Sequence, residues 1–382
     1  MRRDTQVKLL RRFFEARQAR TTDMAERLYR NPAAMYTDPI RFAAEWERLF
    51  RPGPLVVGLS ADLPEVGEYV TTEAGGVPLL LVRGEDGAAR AFLNACRHRG
   101  GRVADGRGRP GRAFTCPYHA WCYDLHGRLV GQPLAQDAFD ELDPDATGLI
   151  PLPLAERFGL LLVRPAGGPP IDAESELAGL GPELGEFGFE DNRFFTEVSA
   201  GFDMNWKLGI DTFLEAYHIF SLHRATIAGD FLSTPSLHEA FGPHGRLVAF
   251  RRSVLDLAEV DEGGWSLREH ASIVYRLWPN AILNLTAAGH CELWEFHPEA
   301  GSGDRTRVSV KFYTPGEVGS DKARDFWNRN VEYTTGVVFV EDFAQQETIH
   351  ANLRSGLLPE LIYGRNEPGL IHFHKSLAAA LA

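Results

Sequence analysis

Cysteine is scarce in this chain, with only four Cys among 382 residues. Four thiols are too few for the disulfide framework of a small secreted protein, which favours a reducing compartment, and we predict a cytoplasmic protein. Long apolar runs are missing as well. Segments such as VPLLLV and GLLLV have the length of strands, and the N-terminal segment has no continuous apolar core of the signal-peptide kind. The sequence thus predicts no association with a membrane.

An excess of basic charge is also missing, because the formal net charge at pH 7 is −12. An acidic chain gives no reason to expect nucleic-acid binding. The length allows two domains or one large one, and the composition is ordinary for a globular protein. The positive indications of function therefore come from short motifs.

The pattern of apolar residues divides the first half of the chain. Residues 1–45 have apolar residues near helical spacing, and from about 52 to 165 short β-like runs are separated by Gly, Pro and Asp. A linker rich in Gly, Pro and acidic residues follows and marks a domain boundary. We predict an N-terminal helical segment packed on the body, a small β domain and a larger C-terminal domain, at 1–45, 46–165 and 166–382.

Beyond the linker, helical and strand-like segments are mixed. A helical pattern runs from Asn205 to about His223, and five strand-like segments follow, from LVAFRRSVL to RVSVKFYTP. Two helices are predicted to close the chain, at about 320–332 with Ser320 as N-cap and at about 338–354. Strands followed by a long C-terminal helix predict an α+β fold, in which an antiparallel sheet wraps on that helix in a helix-grip arrangement.

Four residues in the strand-rich part form a metal-binding pattern, which we call the Cys/His quartet: Cys96, His98, Cys116 and His119. They are arranged as C-x-H, seventeen residues and C-x-x-H, so each of two short loops contributes one thiolate and one imidazole. This pairing suits a [2Fe–2S] cluster with one sulfur-ligated and one nitrogen-ligated iron. A structural zinc site is the alternative, but zinc sites of this composition usually pair Cys with Cys and His with His. We therefore favour the iron–sulfur cluster.

The residues around the quartet resemble the Rieske domain, an all-β domain. The first loop reads CRHRG, and the second reads CPYHAW, followed by YDLHG. One departure is Ala120, which stands where the family usually has Gly after the second His. This change adds a methyl group near the cluster and removes no ligand.

Arginine is concentrated around the quartet. Six Arg residues fall within one 16-residue window: Arg97, Arg99, Arg102, Arg107, Arg109 and Arg112. One interpretation is a solvated Arg-rich loop. The other, equally favoured, is a docking surface for an acidic electron-donor protein or for a neighbouring subunit. The sequence leaves both interpretations open.

A second candidate metal site lies on the helical segment after Asn205. Asp211, Glu215 and His218 are four and three residues apart, so they share one face of the predicted helix. His223 follows His218 by five residues, which is about 140° around an ideal helix. The helix must therefore end or widen between them if both imidazoles bind one metal. Two His and one carboxylate form the facial triad of non-haem Fe(II) oxygenases.

Together these segments resemble the large oxygenase subunit of Rieske non-haem iron oxygenases, and the resemblance covers nearly the whole chain. The family's N-W-K and D/E-x-Y-H-x-x-x-x-H occur at 205–207 and 215–223, and its E-D-x-x-x-x-E occurs at 341–347. The resemblance implies that the iron ligands are His218, His223 and Asp342, the last on the predicted final helix. Glu341 and Glu347 are expected to orient that helix.

The resemblance implies a separate role for Glu215. Many ring-dihydroxylating members have Asp at this position, where it bridges a Rieske His of one subunit to an iron-ligating His of its neighbour. The longer Glu side chain should still span that gap, and its presence slightly favours the monooxygenase and demethylase branch. Glu215 is therefore the predicted catalytic residue, whereas Asp211 fits a helix surface as well as the site.

The resemblance implies the terminal oxygenase component of a multicomponent system. Such an enzyme uses one [2Fe–2S] cluster, one mononuclear Fe(II) and O2 to hydroxylate, dihydroxylate or demethylate a small organic substrate, with an aromatic one favoured. The chain has no Gly-rich dinucleotide fingerprint and no Cys set for a second cluster, so NAD(P)H can act only through a separate reductase, with or without a ferredoxin. The resemblance also implies a head-to-tail homotrimer, and it does not imply a β subunit.

Two alternatives remain open. The first is a monooxygenase of a quaternary ammonium or a methylated amine, and the second is a Rieske electron-transfer protein without oxygenase activity. Aromatic residues of the C-terminal part fit an aromatic substrate, a cation–π cage or an ordinary core: Tyr275, Trp278, Trp294 and Phe296. For His290, Cys291 and His297, packing in the core is favoured over a place in a pocket. Three further histidines are expected to be incidental: His350, His372 and His374.

Overall fold

The computed structural model describes all 382 residues and shows two compact units of the chain. One unit contains residues 46–176 with 188–190, and the other contains 1–45, 177–187 and 191–382. We call them the quartet unit and the sheet unit. Every helix falls short of the length and apolar character that a bilayer crossing requires.

The strands, numbered in chain order, are short in the quartet unit and long in the sheet unit. Their bounds are β1 Tyr29–Pro32, β2 Leu55–Leu59, β3 Tyr69–Ala74, β4 Val77–Arg83, β5 Ala89–Leu93, β6 Arg107–Gly108, β7 Phe114–Thr115, β8 Cys122–Tyr123, β9 Leu129–Gly131, β10 Pro151–Leu152, β11 Leu154–Arg157, β12 Leu160–Val163, β13 Arg193–Phe202, β14 Phe231–Phe241, β15 His244–Arg251, β16 Ala271–Leu277, β17 Ala281–Leu285, β18 Cys291–Pro298, β19 Thr306–Thr314 and β20 Glu360–Tyr363.

The helices lie mostly in the sheet unit. Their bounds are α1 Arg3–Gln18, α2 Ala34–Thr37, α3 Pro39–Glu45, α4 Ala135–Ala138, α5 Ala173–Glu176, α6 Gly181–Gly185, α7 Trp206–Asp211, α8 Ile219–Leu222, α9 Asp321–Thr335, α10 Phe343–Arg354 and α11 Pro368–Ala380. Two π-helical segments occur at Trp46–Phe50 and Gly336–Asp342, and short 3₁₀ segments at Ser60–Asp62, Asp145–Thr147, Phe189–Asp191, Arg252–Glu259 and Glu262–Gly264.

The quartet unit consists of three small antiparallel sheets. Their strand orders are β10-β5-β4-β3-β6, β11-β12-β2 and β7-β8-β9. The side chains of Leu79–Val82 in β4 and Leu160–Val163 in β12 are fully or almost fully buried. These strands read as continuous apolar runs because both of their faces are covered. The chain between β5 and β6 and the turn between β7 and β8 carry the quartet.

The sheet unit is built on one seven-stranded antiparallel sheet. Its order is β13-β19-β18-β17-β16-β15-β14. Helices cover it: Phe343 of α10 packs on Trp294 and Phe296 of β18, and Phe373 of α11 packs on Trp278 beyond β16. The predicted α+β fold, with an antiparallel sheet wrapped on helix, is confirmed.

The two strands that the sequence pattern did not indicate, β13 and β14, are the two edges of this sheet. Many of their residues are exposed or half-buried, whereas β15 and β18 are buried at nearly every position. An edge strand has only one neighbour, and one of its faces can be polar, so it lacks the apolar run that marks a central strand.

The predicted helix from Asn205 to His223 is wrong. It begins as expected, because the Asn205 side chain caps α7 by accepting the Lys207 N–H at 3.1 Å, but α7 ends at Asp211 and residues 212–218 form turns. The Leu214 carbonyl oxygen approaches α11 so closely that a Cβ on Gly369 would lie 2.4 Å from it. This approach needs an unwound backbone, so tertiary packing outweighs the helical periodicity.

The two predicted closing helices are one continuous run, in which the π segment Gly336–Asp342 joins α9 to α10. The N-cap prediction holds, because Ser320 Oγ accepts the Ala323 N–H at 3.2 Å. Asp342 does not lie on the final helix as expected, since α11 follows. The sequence did not reveal α11 because six of its residues are buried, which leaves little apolar–polar periodicity: Gly369, Leu370, Ile371, Phe373, His374 and Leu377.

Candidate metal centres and active site

The two halves of the Cys/His quartet lie on neighbouring loops of one unit. In each loop the backbone N–H four residues after the cysteine donates to the cysteine carbonyl, at 2.8 Å for Cys96 and 3.0 Å for Cys116. Each loop thus folds into a tight turn. The ring centroids of His98 and His119 are 4.6 Å apart. The structure therefore brings the predicted cluster residues together.

The donor atoms of the quartet fit a [2Fe–2S] cluster. Cys96 and Cys116 are buried and carry free thiols. The Nδ1 atoms of His98 and His119 are buried and have no hydrogen-bond partner, which is costly unless another group satisfies them. Burial, followed by the charges of His119 and Arg99, lowers the pKa of His98 and so favours the neutral imidazole that a metal requires. Two thiols and two free nitrogens match mixed ligation.

Tyr123 is a cluster neighbour that the sequence motif did not reveal. Its hydroxyl lies 3.3 Å from Cys96 Sγ and accepts the Arg97 N–H at 3.0 Å. Burial raises the pKa of Tyr123 well above its usual range, so the hydroxyl keeps its proton and can donate it to the sulfur. Hydrogen bonds to cluster sulfurs are one means by which a protein sets the reduction potential.

The departure at Ala120 has a structural meaning. Ala120 adopts a left-handed backbone with φ of 55°, a conformation that costs an L-residue roughly 1–2 kcal/mol and that glycine adopts freely. The usual Gly is therefore explained by the turn that follows His119 rather than by a need for space at the cluster.

The Arg-rich window divides into paired and free residues. Arg107 forms an ion pair with Asp62, and Arg109 forms ion pairs with Glu65 and Glu68. The other four have no carboxylate partner: Arg97, Arg99, Arg102 and Arg112. The paired residues stabilise the unit itself, so only part of the window is available for docking.

The predicted iron ligands are brought together by three separate segments. His218 precedes α8, His223 follows it, and Asp342 ends the π segment. Asp342 Oδ1 lies 3.0 Å from His223 Nε2 and 3.5 Å from His218 Nε2. One donor atom of each residue lies within 4.8 Å of the others. The helix end that the sequence demanded between the two His is present, because α8 ends at Leu222 and His223 leaves helical geometry; a second break precedes His218.

The donor set fits a divalent metal of the facial-triad type. Two imidazole nitrogens and one carboxylate oxygen converge, and they leave the remaining coordination positions open. Glu215 Oε1 contacts His218 Nδ1, and Glu341 Oε2 accepts from His223 Nδ1 at 2.6 Å. Each imidazole therefore holds its proton on Nδ1 and presents Nε2 to the metal, as the carboxylate–histidine–metal arrangement requires.

The other predicted supporting residues are engaged near this centre. Thr226 Oγ1 donates to Glu341 Oε2 at 3.0 Å, which fixes that carboxylate against His223. Glu347 accepts the backbone N–H of Asp203 at 2.7 Å, so it ties α10 to the chain that leads into α7. The Oε2 atom of Glu215 accepts the backbone N–H groups of Tyr217 and His218.

Loading of this centre is expected to depend on pH. Burial alone would lower the pKa of His218 and His223, but the adjacent carboxylates, mainly Glu215 and Asp342 respectively, outweigh it and raise both pKa values. Protons then compete with the metal up to a higher pH than for an ordinary His near about 6.5. Anaerobic Fe(II) titration of the metal-free protein should show affinity that rises with pH, with proton release on binding. An affinity that does not change between about pH 6 and 8 would contradict these pKa shifts.

Asp211 belongs to a buried hydrogen-bond network rather than to the metal centre. Its carboxylate accepts from Tyr36 Oη at 2.6 Å and from His374 Nε2 at 2.9 Å, and Tyr363 joins the same group. Asn31 Nδ2 lies 3.2 Å from His374 Nδ1, so it donates to that nitrogen while Nε2 donates to Asp211. The sequence treated His374 as incidental, because its partners are remote in the chain. The network anchors the end of α7, where the ligand-bearing turns begin.

A cavity of about 210 Å³ lies in the sheet unit and is lined by residues of the segments that carry the predicted iron ligands. Phe213 precedes His218, Ile227 follows His223, and Val337 and Val338 precede Asp342 by about one turn of the π segment. The four aromatic residues for which the sequence left a substrate contact, a cage and an ordinary core open do not line the cavity: Tyr275 bonds to Glu183, and Trp278, Trp294 and Phe296 pack in the core. The aromatic side chains in the wall are instead Phe213, Phe231 and Tyr333.

His290 lines this cavity, although the sequence favoured simple packing for it. Its Nε2 lies 2.9 Å from Glu292 Oε1. Burial alone would raise the pKa of Glu292, but its hydrogen bonds and the charge of His290 outweigh burial and lower it. The place of His290 in the cavity wall depends on neighbouring strands and helix α9, which are remote in sequence. His297 and Cys291 are buried, as expected for packing.

Two family models match the chain. The model described as Rieske [2Fe-2S] domain matches residues 53–143, and the model described as ring hydroxylating alpha subunit (catalytic domain) matches 189–382. The second match covers just over half of the chain, and the two together include both candidate metal centres.

Individual proteins show the same similarity. The carnitine monooxygenase oxygenase subunit of Escherichia coli (strain K12) is 28% identical over 363 residues, which are 91% of this chain and 92% of that protein. The chlorobenzene dioxygenase subunit alpha of Cupriavidus sp. (strain PS12) is 31% identical over 227 residues, 56% of this chain and 49% of that protein. A solved quaternary ammonium Rieske monooxygenase in complex with L-carnitine has a TM-score of 0.77 at 21% identity, covering 94% of this chain and 96% of that chain. At this identity the structural likeness shows a shared fold.

Proposed function

The chain belongs to the ring-hydroxylating oxygenase alpha subunits that carry a Rieske [2Fe–2S] domain, and on that premise we propose which residues hold its metals and what it oxidises. The Cys/His quartet holds the [2Fe–2S] cluster, and the triad of His218, His223 and Asp342 holds the mononuclear Fe(II). The observation that carries this proposal is the convergence of the three triad donor atoms, whose chain segments also line a cavity. When bound, the cluster supplies single electrons, and the Fe(II) supplies open positions for O2.

The chain's own residues prepare the centre for this chemistry. Glu215 and Glu341 each hold the Nδ1 proton of one ligating His, which fixes the ring orientation. Phe213, Ile227 and Val338 give the cavity an apolar wall on the segments that also carry His218, His223 and Asp342. The oxidised group of the substrate lies against this wall.

Electrons come from outside the chain. The proposal assigns their delivery to a separate reductase that uses NAD(P)H, with or without a ferredoxin, in the reducing cytosol where the four free cysteines persist. A head-to-tail homotrimer is part of the proposal. Tyr118, next to His119, is 60% exposed, and Tyr217, next to His218, is 71% exposed. Two exposed rings adjacent to metal-binding His suit contact surfaces between subunits.

The substrate class that fits best is a small quaternary ammonium or methylated amine. A cavity of about 210 Å³ lies below the usual range for drug-sized ligands, roughly 300–1,000 Å³. Its wall combines three aromatic rings with the Glu292 carboxylate, a combination that attracts organic cations, whereas Asp230 is paired with Arg251 of the same wall. The similarity to carnitine monooxygenase along nearly the whole chain supports the same class.

Oxidation of an aromatic ring is the second candidate. The apolar wall of Phe213, Ile227, Val337 and Val338 accepts a flat ring as readily as methyl groups. The similarity to chlorobenzene dioxygenase subunit alpha over 227 residues supports this candidate.

A substrate screen separates the two candidates. The purified holoenzyme with a surrogate reductase is offered carnitine, glycine betaine, choline, chlorobenzene and biphenyl, and substrate-dependent O2 uptake is measured. We expect uptake with a methylated ammonium compound, with an amine and an aldehyde as products. Formation of a cis-diol from the aromatic compounds alone would replace the first candidate with the second. Absence of uptake with the whole panel would contradict both.

A further inference from the structure

The cavity wall contains two chemically different sets of residues. One set of wall residues is apolar and comprises Phe213, Ile227, Val337 and Val338. The other set comes from the ends of β15 to β18 and from the last turns of α9, and it is polar. An occupant is therefore expected to have an oxidisable apolar or methylated end and a polar or charged head.

Most groups of the polar set already form hydrogen bonds with one another. Glu292 accepts from Asn284 Nδ2 at 3.0 Å, from Trp294 Nε1 at 3.1 Å and from Thr334 Oγ1 at 3.2 Å, in addition to its contact with His290. Four partners use both of its oxygens. Its negative charge still acts on the cavity, but it has little hydrogen-bonding capacity left for a ligand.

Arg251 is the exception in this wall. It is the last residue of β15, and its side chain is 35% exposed. Its guanidinium has one loose carboxylate contact, with Asp230 Oδ2 at 3.4 Å, and it lies 6.0 Å from the centroid of the Phe231 ring. Asp230 is itself 56% exposed. A guanidinium has five N–H donors, and those of Arg251 make no hydrogen bond with the protein.

We propose that Arg251 is a specificity-determining residue that binds a carboxylate at the head of the substrate, so that the enzyme oxidises small organic acids or zwitterions rather than neutral compounds. A planar guanidinium pairs with a carboxylate through two parallel hydrogen bonds, which also fixes the orientation of the ligand. The carboxylate end is then held at β15, and the methylated or aryl end faces Phe213 and Val338. This inference rests on the proposed function and specifies its substrate.

The charges around Arg251 predict how the subsite responds to mutation. Asp230 competes with the substrate for the guanidinium, so Asp230→Asn releases Arg251 and strengthens carboxylate binding. Arg251→Gln removes the charge and the paired donors, but its side chain can still cover Phe231. A purely structural role for the Arg251–Asp230 pair would make both substitutions weaken binding, so the opposite signs distinguish the two roles.

Calorimetric titration of the oxidised holoenzyme without reductant tests the subsite apart from turnover. The probes are matched pairs with and without a carboxylate: glycine betaine with choline, and benzoate with benzyl alcohol. We expect at least one carboxylate to bind more tightly than its alcohol, and Arg251→Gln to weaken that binding by about 10- to 100-fold while leaving the alcohol unchanged. Asp230→Asn should strengthen it a few-fold.

Arg329→Gln is the matched control, because Arg329 is exposed on α9 next to Asn330 of the wall but does not line the cavity. It should bind every probe as the unsubstituted enzyme does. If no carboxylate binds better than its alcohol, or if Arg251→Gln weakens both members of a pair equally, the proposal is wrong. Failure of O2 uptake together with the expected binding pattern would contradict the proposed function and leave the subsite standing. Turnover of choline or benzyl alcohol as efficient as that of the matched acid would contradict only the subsite.

Discussion

Asp342→Ala is expected to yield a protein that keeps its Rieske cluster and loses substrate oxidation. The substitution removes one of three converging donors and leaves His218 and His223 without a carboxylate between them. Loss of a residue that only supports a ligand already costs about 10- to 100-fold in metal affinity, so loss of the ligand itself should cost at least about 100-fold. Metal analysis should find the iron of the [2Fe–2S] cluster only, with its visible absorption unchanged. Substrate-dependent O2 uptake should fall to the background.

Asp325→Ala provides the matched control for this result. Asp325 lies on the same continuous helical run, in α9, and is exposed. Asp325→Ala removes one negative charge, as Asp342→Ala does, but it leaves the triad intact. Iron content and turnover should therefore stay normal. Full turnover by Asp342→Ala at the unsubstituted rate would show that the triad assignment is incorrect.

Glu215→Gln is expected to leave both metals bound while electron transfer between them collapses. The Glu215 carboxylate holds His218 Nδ1 on one side and is half-buried beside the exposed Tyr217, where a neighbouring subunit would approach. A carboxylate has two oxygens that can each accept from an imidazole N–H, whereas an amide has one oxygen that accepts and one NH2 that donates. The substitution therefore breaks the proposed link between His218 and the neighbour's cluster. Misplacement by about 1 Å can cost on the order of 100-fold in rate, and we expect a loss of at least that size. Re-oxidation of the reduced cluster in a single turnover measures it.

Glu341→Gln separates this effect from a general disturbance of the iron site. Glu341 holds His223 in the same way that Glu215 holds His218, but it belongs to the ligand-bearing π segment. We expect Glu341→Gln to weaken iron binding by about 10- to 100-fold and, once iron is supplied in excess, to transfer electrons at a near-normal rate. Equal single-turnover rates for Glu215→Gln and the unsubstituted enzyme would rule out the bridging role.

The sequence predicted much of the fold because central strands and amphipathic segments record their environment locally. The continuous apolar runs of β4 and β12 and the strand-like segments of β16 to β19 were recognisable for that reason. The edge strands β13 and β14 and the buried helix α11 were not, since the first are half-exposed and the last is apolar on most sides. In each case the pattern depends on what the element packs against.

The candidate sites show the same division. The quartet spacing and the two-His segment indicated two metal centres, and the ligand roles of these residues stay predictions that the geometry supports. The sequence did not predict the break at 212–218, which separates α7 from the short helix α8 between His218 and His223. For four aromatic residues it left a substrate contact, a cage and an ordinary core open; these residues lie in the core or bond elsewhere, whereas the cavity wall contains Phe213, Phe231 and Tyr333.

By itself the sequence determined the chemistry of this protein: two thiols and two imidazoles on paired loops, two further His five residues apart, and the family to which such spacing belongs. These features are local, because the ligands of each pair are neighbours in the chain. The resemblance also named Asp342, but only the tertiary structure decided which network anchors α7 and that Arg251 is left with free donors in the cavity wall. Those groups are remote in sequence, and their meeting depends on the packing of the sheet and helices, which a local pattern does not encode.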